Sequence, residues 1–241
     1  MRTGTLYGIG VGPGDPDWIT VKGAKILAAC RHVCAPKSRL AADSVALEIA
    51  RPHLRADAVI HEMEFPMSAD EAVLEASWRR AAGEVHDLLA AGEDCCFLTL
   101  GDALLYSTYI FLVRELRRIA PQIDIVTVPG VTAFAAAAAL TGFAIGEKKQ
   151  LVTIVPASDD MAQFTRALDG GGTVVLMKVG RRLPQVLAEL DRRRLLDRAV
   201  FVSHAGLPQQ RVETDLGRLR DEPEETGYLS ILLIHAGECN P

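Results

Sequence analysis

The chain has 241 residues, of which 49% are apolar and 24% charged, so it can form one large or two moderate globular domains. Its formal charge of −5 argues against a general nucleic-acid-binding protein, which needs a clustered basic face to neutralise phosphates. No apolar run approaches the roughly 20 residues that span a bilayer, and the first residues show no charged leader with a long apolar segment, so we expect a cytoplasmic protein without membrane association.

Strand-length apolar runs alternate with helical patterns along the first half of the chain. This βαβα order predicts a parallel sheet covered by helices on both faces. Thr20 stands where an N-cap would start the first helix, and Pro36 is expected to end the second strand. The expected strands are Leu6–Val11, His32–Ala35, Ala58–His61, Asp94–Leu100 and Ile123–Val128. The expected helices are Thr20–Cys30, Ser44–Ile49, Glu71–Ala91, Leu105–Ile119 and Ala133–Leu140.

The second half has a different spacing. Polar residues accumulate at 146–149, so we place a domain boundary there, with an N-terminal α/β domain of residues 1–147 and a C-terminal α/β domain of residues 148–241. Short spacers between the last strands indicate hairpins, which predict a smaller, mixed sheet. The expected strands are Gln150–Val155, Thr173–Lys178, Ala199–Ser203, Gln210–Thr214 and Tyr228–His235, with helices at Met161–Leu168 and Pro184–Arg193.

The five cysteines and six histidines show no pattern of a metal or disulfide site. There is no C-x-x-C pair, the histidines lack ligand spacing, and an odd number of cysteines does not fit a disulfide framework. We therefore expect no protein-held metal ion. We also expect a structural role for every cysteine, namely Cys30, Cys34, Cys95, Cys96 and Cys239.

Three loops that follow predicted strands are the candidates for chemistry, because ligands of parallel α/β sheets bind at the carboxyl ends of the strands. The first is G-x-G-x-G-P-G-D-P at residues 8–16. It departs from the dinucleotide pattern G-x-G-x-x-G, since two prolines disturb the helix start and no acidic residue follows about 20 positions on to hold a ribose. By itself this loop indicates either a close-packed turn or a ligand loop.

The second loop, Leu98–Thr108, joins a buried strand to a helix through Gly101 and Asp102. Glycine permits close approach of a ligand, whereas Asp102 is explained equally well by contact with a ligand and by capping of the helix. The third loop, Val128–Ala133, is a Pro-Gly turn followed by Thr132, an ordinary N-cap residue. Taken alone, the third loop indicates no function.

In their order and spacing the three loops resemble those of the tetrapyrrole methylase family. Its members share a G-x-G-P-G-D-P loop after the first strand, a Gly-Asp-Pro loop at mid-chain and a Pro-Gly-(Ile/Val)-(Thr/Ser) turn, and the resemblance covers essentially the whole chain. The segments C-A-P-K-S at residues 34–38 and L-L-Y-S-T-Y at residues 104–109 are most similar to members that methylate carbon 20 of precorrin-2. One departure is Ala103, where the family has proline, which makes this loop less rigid.

The resemblance implies methylation of a tetrapyrrole carbon by S-adenosylmethionine (SAM), with S-adenosylhomocysteine as product, in cobalamin biosynthesis. It also implies a homodimer, and two α/β domains with SAM folded in the cleft between them. The residues implied in SAM binding are Pro13, Gly101, Asp102, Ala103, Leu105, Ser107, Thr108, Thr132 and Ala133 in the first domain, and Met177, Ala205 and Gly206 in the second. Without the resemblance, Met177 would be interpreted as a core methionine.

The carboxylates of such an acceptor need cations in an acidic protein. Lys37 and Arg39 follow the second strand at the same edge of the sheet as the three loops, and with Ser38 and Tyr106 they form the predicted acceptor-binding set. Each cation is also explained as a solvated surface charge, as are three further candidates that follow a second-domain strand, Lys178, Arg181 and Arg182.

The sequence assigns no general base. The acceptor carbon is itself the nucleophile, so the protein needs neither a covalent nucleophile nor a metal, and a base is not required in the slow step. The candidates near the predicted cleft are Tyr106, Asp102 and His204.

Several alternative functions stay open. Alternatives on the same fold are methylation of another precorrin carbon or of uroporphyrinogen III, and a diphthine synthase, against which the basic segment 36–39 argues. From other classes, the glycine-rich start is compatible with a nicotinamide-dependent dehydrogenase, and a non-catalytic tetrapyrrole-binding protein would carry the same loops. Binding of NAD against SAM, and formation of S-adenosylhomocysteine, separate these possibilities.

Overall fold

The computed structural model describes residues 3–38, 44–66, 68, 70–158, 160–220 and 229–237. These residues form two five-stranded sheets, one parallel and one mixed, each with its own helices. Contacts between Cα atoms divide the chain into two compact units, Met1–Thr132 and Ala133–Pro241. The predicted fold class, a parallel and a mixed α/β domain, is confirmed.

Unit 1 is built on a parallel sheet with the strand order β3-β2-β4-β1-β5. Its strands are β1 (Thr5–Gly10), β2 (His32–Ser38), β3 (Val59–Phe65), β4 (Cys95–Thr99) and β5 (Asp124–Val128). Its helices are α1 (Val21–Ala29), α2 (Val45–Ala50), α3 (Glu71–Ala90) and α4 (Tyr109–Ile119), with short 3-10 helices at Pro16–Trp18 and Arg51–His53.

Local chemistry explains several of these boundaries. Thr20 caps α1 as predicted, because its hydroxyl accepts a hydrogen bond from the N–H of Gly23 at 3.1 Å. Strand β4 lies at the centre of the sheet and every one of its residues is buried, which is why it is a continuous apolar run. The β1, β4 and β5 strands are neighbours, so the three candidate loops start side by side at one edge of this sheet.

Three expected boundaries in unit 1 are wrong, and one of them is the end of β3, which continues beyond His61 to Phe65. Strand β2 does not end at Pro36 but continues to Ser38, because beyond Cys34 it pairs with β3 alone and a missing N–H is tolerated on such an edge. Helix α4 begins at Tyr109 and not at Leu105, so the segment before it is a loop. Tyr106 in that loop has a φ of 50°, which a helix does not permit.

Unit 2 contains the mixed sheet, with the strand order β6-β7-β10-β8-β9. β6 and β7 are parallel, while β10 runs antiparallel to both β7 and β8, as the hairpin spacing predicts. Its strands are β6 (Val152–Pro156), β7 (Thr173–Met177), β8 (Ala199–Ser203), β9 (Arg211–Glu213) and β10 (Ser230–His235). Its helices are α5 (Ala133–Thr141), α6 (Ala162–Asp169) and α7 (Leu183–Arg192), with 3-10 helices at Gly180–Arg182, Leu196–Arg198 and Leu216–Leu219.

Helix α5 belongs by its contacts to unit 2. It packs against β10 and β8, and the chain just after it is held where the ring of Phe143 stacks on His235 with centroids 4.0 Å apart. The compact units therefore divide before α5, whereas the polar run at 146–149, at which the sequence suggests a boundary, follows this helix. Within the described part of the chain, no helix combines the length and the apolar character needed to cross a membrane.

Candidate functional site

The three candidate loops of unit 1 meet backbone against backbone. A Cβ atom built on Gly10 would lie 2.5 Å from the amide nitrogen of Gly130, and one built on Gly130 would lie 2.2 Å from the carbonyl oxygen of Gly101. Neither approach is possible with a side chain present, since real Cβ atoms do not come within 3.0 Å of backbone. The contact of Gly10, Gly101 and Gly130 is called the glycine junction below.

Hydrogen bonds fasten the first two loops to each other at this junction. The N–H of Gly12 donates to the carbonyl of Gly101 at 3.1 Å, and the N–H of Gly101 donates back to Gly12 at 2.8 Å. Val11 adds a third bond, to the carbonyl of Thr99 at 2.9 Å. The glycine-rich first loop is therefore a short antiparallel bridge to the second loop, and Pro13 follows it as a buried residue.

Asp102 joins the second loop to the third. One carboxylate oxygen accepts a hydrogen bond from the N–H of Leu104 at 2.9 Å, and the other accepts from the N–H of Gly130 at 3.0 Å. Because the two oxygens bond to backbone on different loops, Asp102 fixes the spacing of the glycine junction. The alternative in which Asp102 caps helix α4 does not apply, since α4 begins at Tyr109.

The rest of the second loop is folded upon itself. Ala103, which stands where the family has proline, is fully buried in the core of unit 1, and its carbonyl accepts a hydrogen bond from the hydroxyl of Ser107. Leu104 and Tyr106 are turned outward, with exposed fractions of 61% and 39%. Leu105 and Thr108 are half-buried.

A buried tyrosine packs against β1 and β5, the strands that lead into the first and third loops. The hydroxyl of Tyr109 lies 2.9 Å from that of Thr127 on β5, and burial raises the pKa of Tyr109, so it remains a neutral phenol. A Cβ atom on Gly8 would lie 2.1 Å from the ring of Tyr109. The first glycine of the glycine-rich loop is thus explained by packing on a side chain and not by a ligand.

Unit 2 has a strained edge of its own. β7 and β8 end on either side of the start of β10, and next to these ends Lys178, His204 and Leu229 have φ values of 58°, 51° and 45°. Left-handed backbone is costly for residues other than glycine, and it concentrates at functional sites. Gly206, with a φ of 78°, lies two residues beyond His204. These four residues are called the left-handed edge below.

The predicted SAM-binding residues of unit 2 lie at this left-handed edge. Met177 ends β7 and Ala205 follows His204; both are buried, with 9% and 6% of their surfaces exposed. The N–H of Gly206 donates to the side-chain oxygen of Gln210 at 2.8 Å. Burial lowers the pKa of His204, so its imidazole is neutral at pH 7 and able to accept a proton.

Three of the four predicted acceptor-binding residues, Lys37, Ser38 and Tyr106, lie among the described residues. The ammonium of Lys37, on β2, lies 3.1 Å from a carboxylate oxygen of Glu62 on β3, with 23% of the Lys37 side chain exposed. Ser38 ends β2, and Arg39 lies outside the described residues. Glu62 is not predicted as the partner of Lys37, since this pairing depends on the register of two strands that are distant along the chain.

The site therefore contains residues that the sequence did not single out. Gly10 and Gly130 form the glycine junction although neither was among the predicted contact residues, and Tyr109 and Thr127 support it. The glycine motifs carried a signal for the first pair, whereas nothing in the sequence marks the second pair. In the described parts of the chain, no three His, Cys, Asp or Glu side chains come together as a metal site.

Known proteins are similar to this chain over almost its whole length. Residues 5–220 match the family model of the Tetrapyrrole (Corrin/Porphyrin) Methylases. The chain is 37% identical to the cobalt-precorrin-2 C(20)-methyltransferase of Salmonella typhimurium, with 96% of each chain covered, and 28% identical to the precorrin-2 C(20)-methyltransferase of a Sinorhizobium species, with 100% of this chain and 99% of that one covered.

A solved structure shares the fold. It is the uroporphyrin-III C-methyl transferase from Thermus thermophilus complexed with S-adenyl homocysteine, with a TM-score of 0.61, 20% identity and 98% of each chain covered. The family model spans nearly the whole chain and includes all three loops of the glycine junction. The chain belongs to the tetrapyrrole (corrin/porphyrin) methylase family.

Proposed function

We propose that this protein transfers a methyl group from SAM to carbon 20 of precorrin-2, or of its cobalt form, in cobalamin biosynthesis. The observation that carries the proposal is the glycine junction, in which three loops of a methylase pattern meet at one edge of a parallel sheet. The names of the relatives from Salmonella typhimurium and Sinorhizobium, similar over almost their whole length, support the choice of carbon 20.

The residues at the glycine junction fit SAM. A Cβ atom on Gly101 would meet nothing within 4 Å among the described residues, although Gly101 itself is buried, so there is open space beside it. The hydroxyl of Thr99, two residues before Gly101 at the end of β4, is buried and has no hydrogen-bond partner among the described residues. The residues of unit 1 that would hold SAM are Pro13, Gly101, Asp102, Ala103, Leu105, Ser107, Thr108 and Thr132. The family resemblance adds Ala133, Met177, Ala205 and Gly206 of unit 2.

Catalysis on this proposal is mainly positioning. SAM, when bound, supplies an electrophilic methyl group. Because the acceptor carbon is electron-rich, the protein's task is to orient the two reactants, from which effective molarities of about 10⁵–10⁸ M are available. Asp102 contributes by holding two loops at a fixed spacing, since both its oxygens accept backbone hydrogen bonds. Of the candidate bases, His204 is the one that burial keeps neutral and able to take up a proton.

The acceptor's carboxylates are assigned to Lys37, Ser38, Arg39 and Tyr106. Lys37 is at the same edge of the sheet as the glycine junction, because β2 lies beside β4 and parallel to it. Its ammonium forms an ion pair with Glu62 at 3.1 Å. An acceptor carboxylate would therefore bind Lys37 either in place of Glu62 or together with it. Tyr106, with 39% of its surface exposed, offers a hydroxyl on the neighbouring loop.

The direct test is an anaerobic incubation of the protein with SAM and with precorrin-2, cobalt-precorrin-2 or uroporphyrinogen III. We expect S-adenosylhomocysteine together with a product that carries one new methyl group on carbon 20, located by NMR of material made from labelled SAM. A new methyl group on another carbon would assign the protein to a different step. Binding of NAD without binding of SAM would overturn the methyltransferase proposal.

The assignment of the acceptor cations has its own test. The double change Lys37→Ala with Arg39→Ala should raise the KM for the tetrapyrrole by about tenfold or more, since each charge-assisted hydrogen bond is worth roughly 1.5–3 kcal/mol and partial exposure pulls the effect to the lower end. SAM affinity, measured by calorimetry without acceptor, should stay within about twofold.

The control for this pair is Glu62→Gln, which removes the competing carboxylate from Lys37 and should leave the KM unchanged or lower it. Weaker SAM binding with an unchanged KM in the double variant would show that segment 37–39 serves SAM and not the acceptor.

The proposal includes a homodimer in the cytoplasm. It rests on the family resemblance for the dimer and on the nature of a small-molecule biosynthetic substrate for the compartment. Light scattering at micromolar concentration tests the first part, and a monomer there would contradict it. Fractionation of the cells that make the protein tests the second, and recovery with membranes would contradict it.

A further inference from the structure

Two histidines of unit 1 face each other across neighbouring strands. His32 opens β2 and His61 lies on β3, and the Nδ1 atom of His32 is 3.0 Å from the Nε2 atom of His61. The register pairs His32 with Val59 and Cys34 with His61, so the two histidines are diagonal neighbours on one face of the sheet. Their ring centroids are 5.2 Å apart, farther than the two nitrogens, so the rings point these nitrogens towards each other.

The separation of these two nitrogens is close to that of two ligands of one metal ion. Without a metal ion, the N–H of one ring donates a hydrogen bond to the nitrogen of the other. Zinc binds imidazole nitrogen at about 2.0–2.1 Å in tetrahedral sites, which places two nitrogen ligands about 3.4 Å apart. The rings of His32 and His61 therefore need to part by only about 0.4 Å for an ion to take the place of the shared proton.

A carboxylate lies beside the other ring nitrogen of His32. The Nε2 atom of His32 is 3.8 Å from Oε2 of Glu93. A histidine that binds a metal through one nitrogen usually donates its other N–H to a carboxylate or a carbonyl, which fixes the tautomer of the ring. Glu93 favours the proton on Nε2 and so leaves Nδ1 with the lone pair that a metal ion needs. The His32 side chain is 14% exposed and that of Glu93 is 51% exposed, so an ion and its water ligands can reach the pair from solvent.

Other histidines of the chain have partners of a different kind. Ring nitrogens of His53, His86 and His235 lie against a carbonyl, a carboxylate and a hydroxyl, respectively. Each of these contacts brings one ring nitrogen to a point, whereas His32 and His61 bring two. The sequence showed no ligand spacing because these two histidines are 29 residues apart and meet only through the register of β2 and β3.

We propose that His32 and His61 bind one divalent transition-metal ion of the zinc and copper class, which joins the edge strand β3 to β2. Imidazole is a preferred ligand of these ions. Water completes the coordination sphere, because no third His, Cys, Asp or Glu ligand joins the pair among the described residues. Strand β3 lies at the end of the strand order and pairs with β2, so the ion adds a cross-strand link at the edge of the sheet.

The test is a calorimetric titration of the untagged, metal-free protein with zinc chloride, without SAM or tetrapyrrole, followed by electron paramagnetic resonance with copper(II). We expect one zinc ion per chain with a Kd of about 100 μM or tighter. The copper spectrum should show coupling to two nitrogen nuclei. The melting temperature should rise with zinc concentration, because an ion that binds only the folded chain stabilises it.

Substitutions identify the ligands. His32→Ala and His61→Ala should each weaken zinc binding by about tenfold or more and remove one nitrogen from the copper spectrum. Glu93→Gln should weaken zinc binding by about tenfold, since it removes the carboxylate beside Nε2 of His32. The matched control is His86→Ala, which should bind zinc like the original protein. Cys30→Ser should do so too, because the thiol next to His32 is not a ligand of the proposed site.

Three results would overturn the proposal. The first is zinc binding weaker than about 100 μM, the second is a copper spectrum of the original protein with fewer than two nitrogens, and the third is unchanged zinc affinity in folded His32→Ala or His61→Ala. Melting curves show which variants fold, and the first two results decide the question where a variant does not. None of these results bears on methyl transfer, since His32 starts β2 at the amino edge of the sheet, opposite the glycine junction.

Discussion

The glycine junction of unit 1 and the left-handed edge of unit 2 differ in the types of residue that carry their unusual backbone. In the junction, the loops approach so closely that a Cβ atom on Gly10 or Gly130 would overlap with backbone atoms. Only glycine fits at these two positions, because it has no Cβ atom. At the left-handed edge, the unusual backbone is carried by Lys178, His204 and Leu229, whose side chains make left-handed φ values costly.

This difference explains which of these two groups of residues is visible in the sequence. A close backbone approach accepts only glycine, so the junction leaves a fixed pattern of glycines that can be recognised without a structure. A strained turn imposed by the surrounding fold accepts many residue types, and it leaves no pattern. Sequence motifs therefore mark the loops of unit 1, whereas the predicted SAM-binding residues of unit 2 depend on the family resemblance alone.

The largest effect is expected from Gly130→Ala. The added Cβ would lie 2.2 Å from the carbonyl of Gly101, so one of the loops must move. Overpacking of this kind costs about 1–3 kcal/mol of unfolding free energy, and the opened junction should weaken SAM binding by about tenfold or more. Denaturant unfolding and calorimetric titration measure the two quantities.

The control for this change is Gly83→Ala in helix α3, where a Cβ meets nothing within 4 Å among the described residues. It should raise the unfolding free energy by about 0.5–1 kcal/mol, because alanine is the better helix former. If Gly130→Ala behaves like Gly83→Ala, the loops of the junction are not packed as described.

The next largest effect is expected from Asp102→Ala. It removes the hydrogen bond to Gly130 that joins the second loop to the third, and the bond to Leu104 within the second loop, so the spacing of the junction relaxes while the core of unit 1 is untouched. We expect SAM affinity to fall by about tenfold, the equivalent of about 1.4 kcal/mol, and by more than the fall in stability. Calorimetry with SAM and thermal melting measure the two.

Asp102→Asn sharpens this result, because the amide keeps one acceptor oxygen and loses the other. Its SAM affinity should lie between those of the original protein and Asp102→Ala. Should the melting temperature fall in Asp102→Ala with SAM affinity unchanged, Asp102 would have a structural role only.

Much of the fold followed from sequence because its signals are local. Alternation of apolar runs with helical patterns predicted the two sheets, and Thr20 indicated the start of α1. The start of α4 did not follow, since it depends on a turn at Asp102 and on the positive φ of Tyr106. The partner of Lys37 did not follow either, because Glu62 meets it only through the register of β2 and β3.

A smaller effect tests the strain in unit 2. Lys178→Ala and Lys178→Gly remove the same side chain, but only glycine adopts a φ of 58° without cost. The glycine variant should therefore be more stable than the alanine variant by about 0.5–1 kcal/mol, the strain of a left-handed residue less the extra chain entropy of glycine. Denaturant unfolding of the two variants gives the difference directly. An alanine variant of equal or greater stability would show that Lys178 is not strained, and the contrast between the two units would fail.

The smallest effect concerns pH and again separates the two units, since the three loops of the junction contain no histidine whereas His204 is part of the left-handed edge. Burial lowers the pKa of His204 below its usual value near 6.5. The unfolded chain therefore binds more protons than the folded one below about pH 6.5, and the stability that neutral His204 provides is present above that pH and is lost as the pH falls through the folded pKa. His204→Asn removes the titrating group and keeps a residue that tolerates a left-handed φ.

Urea unfolding at about pH 7.5 and about pH 5.5 should show a smaller loss of stability for the His204→Asn variant than for the original protein. The loss that remains in the variant should come from His61 and His235, whose pKa values burial also lowers. An equal loss of stability in both proteins between these pH values would contradict the prediction. It would mean that the imidazole of His204 is as solvated in the folded state as in the unfolded chain.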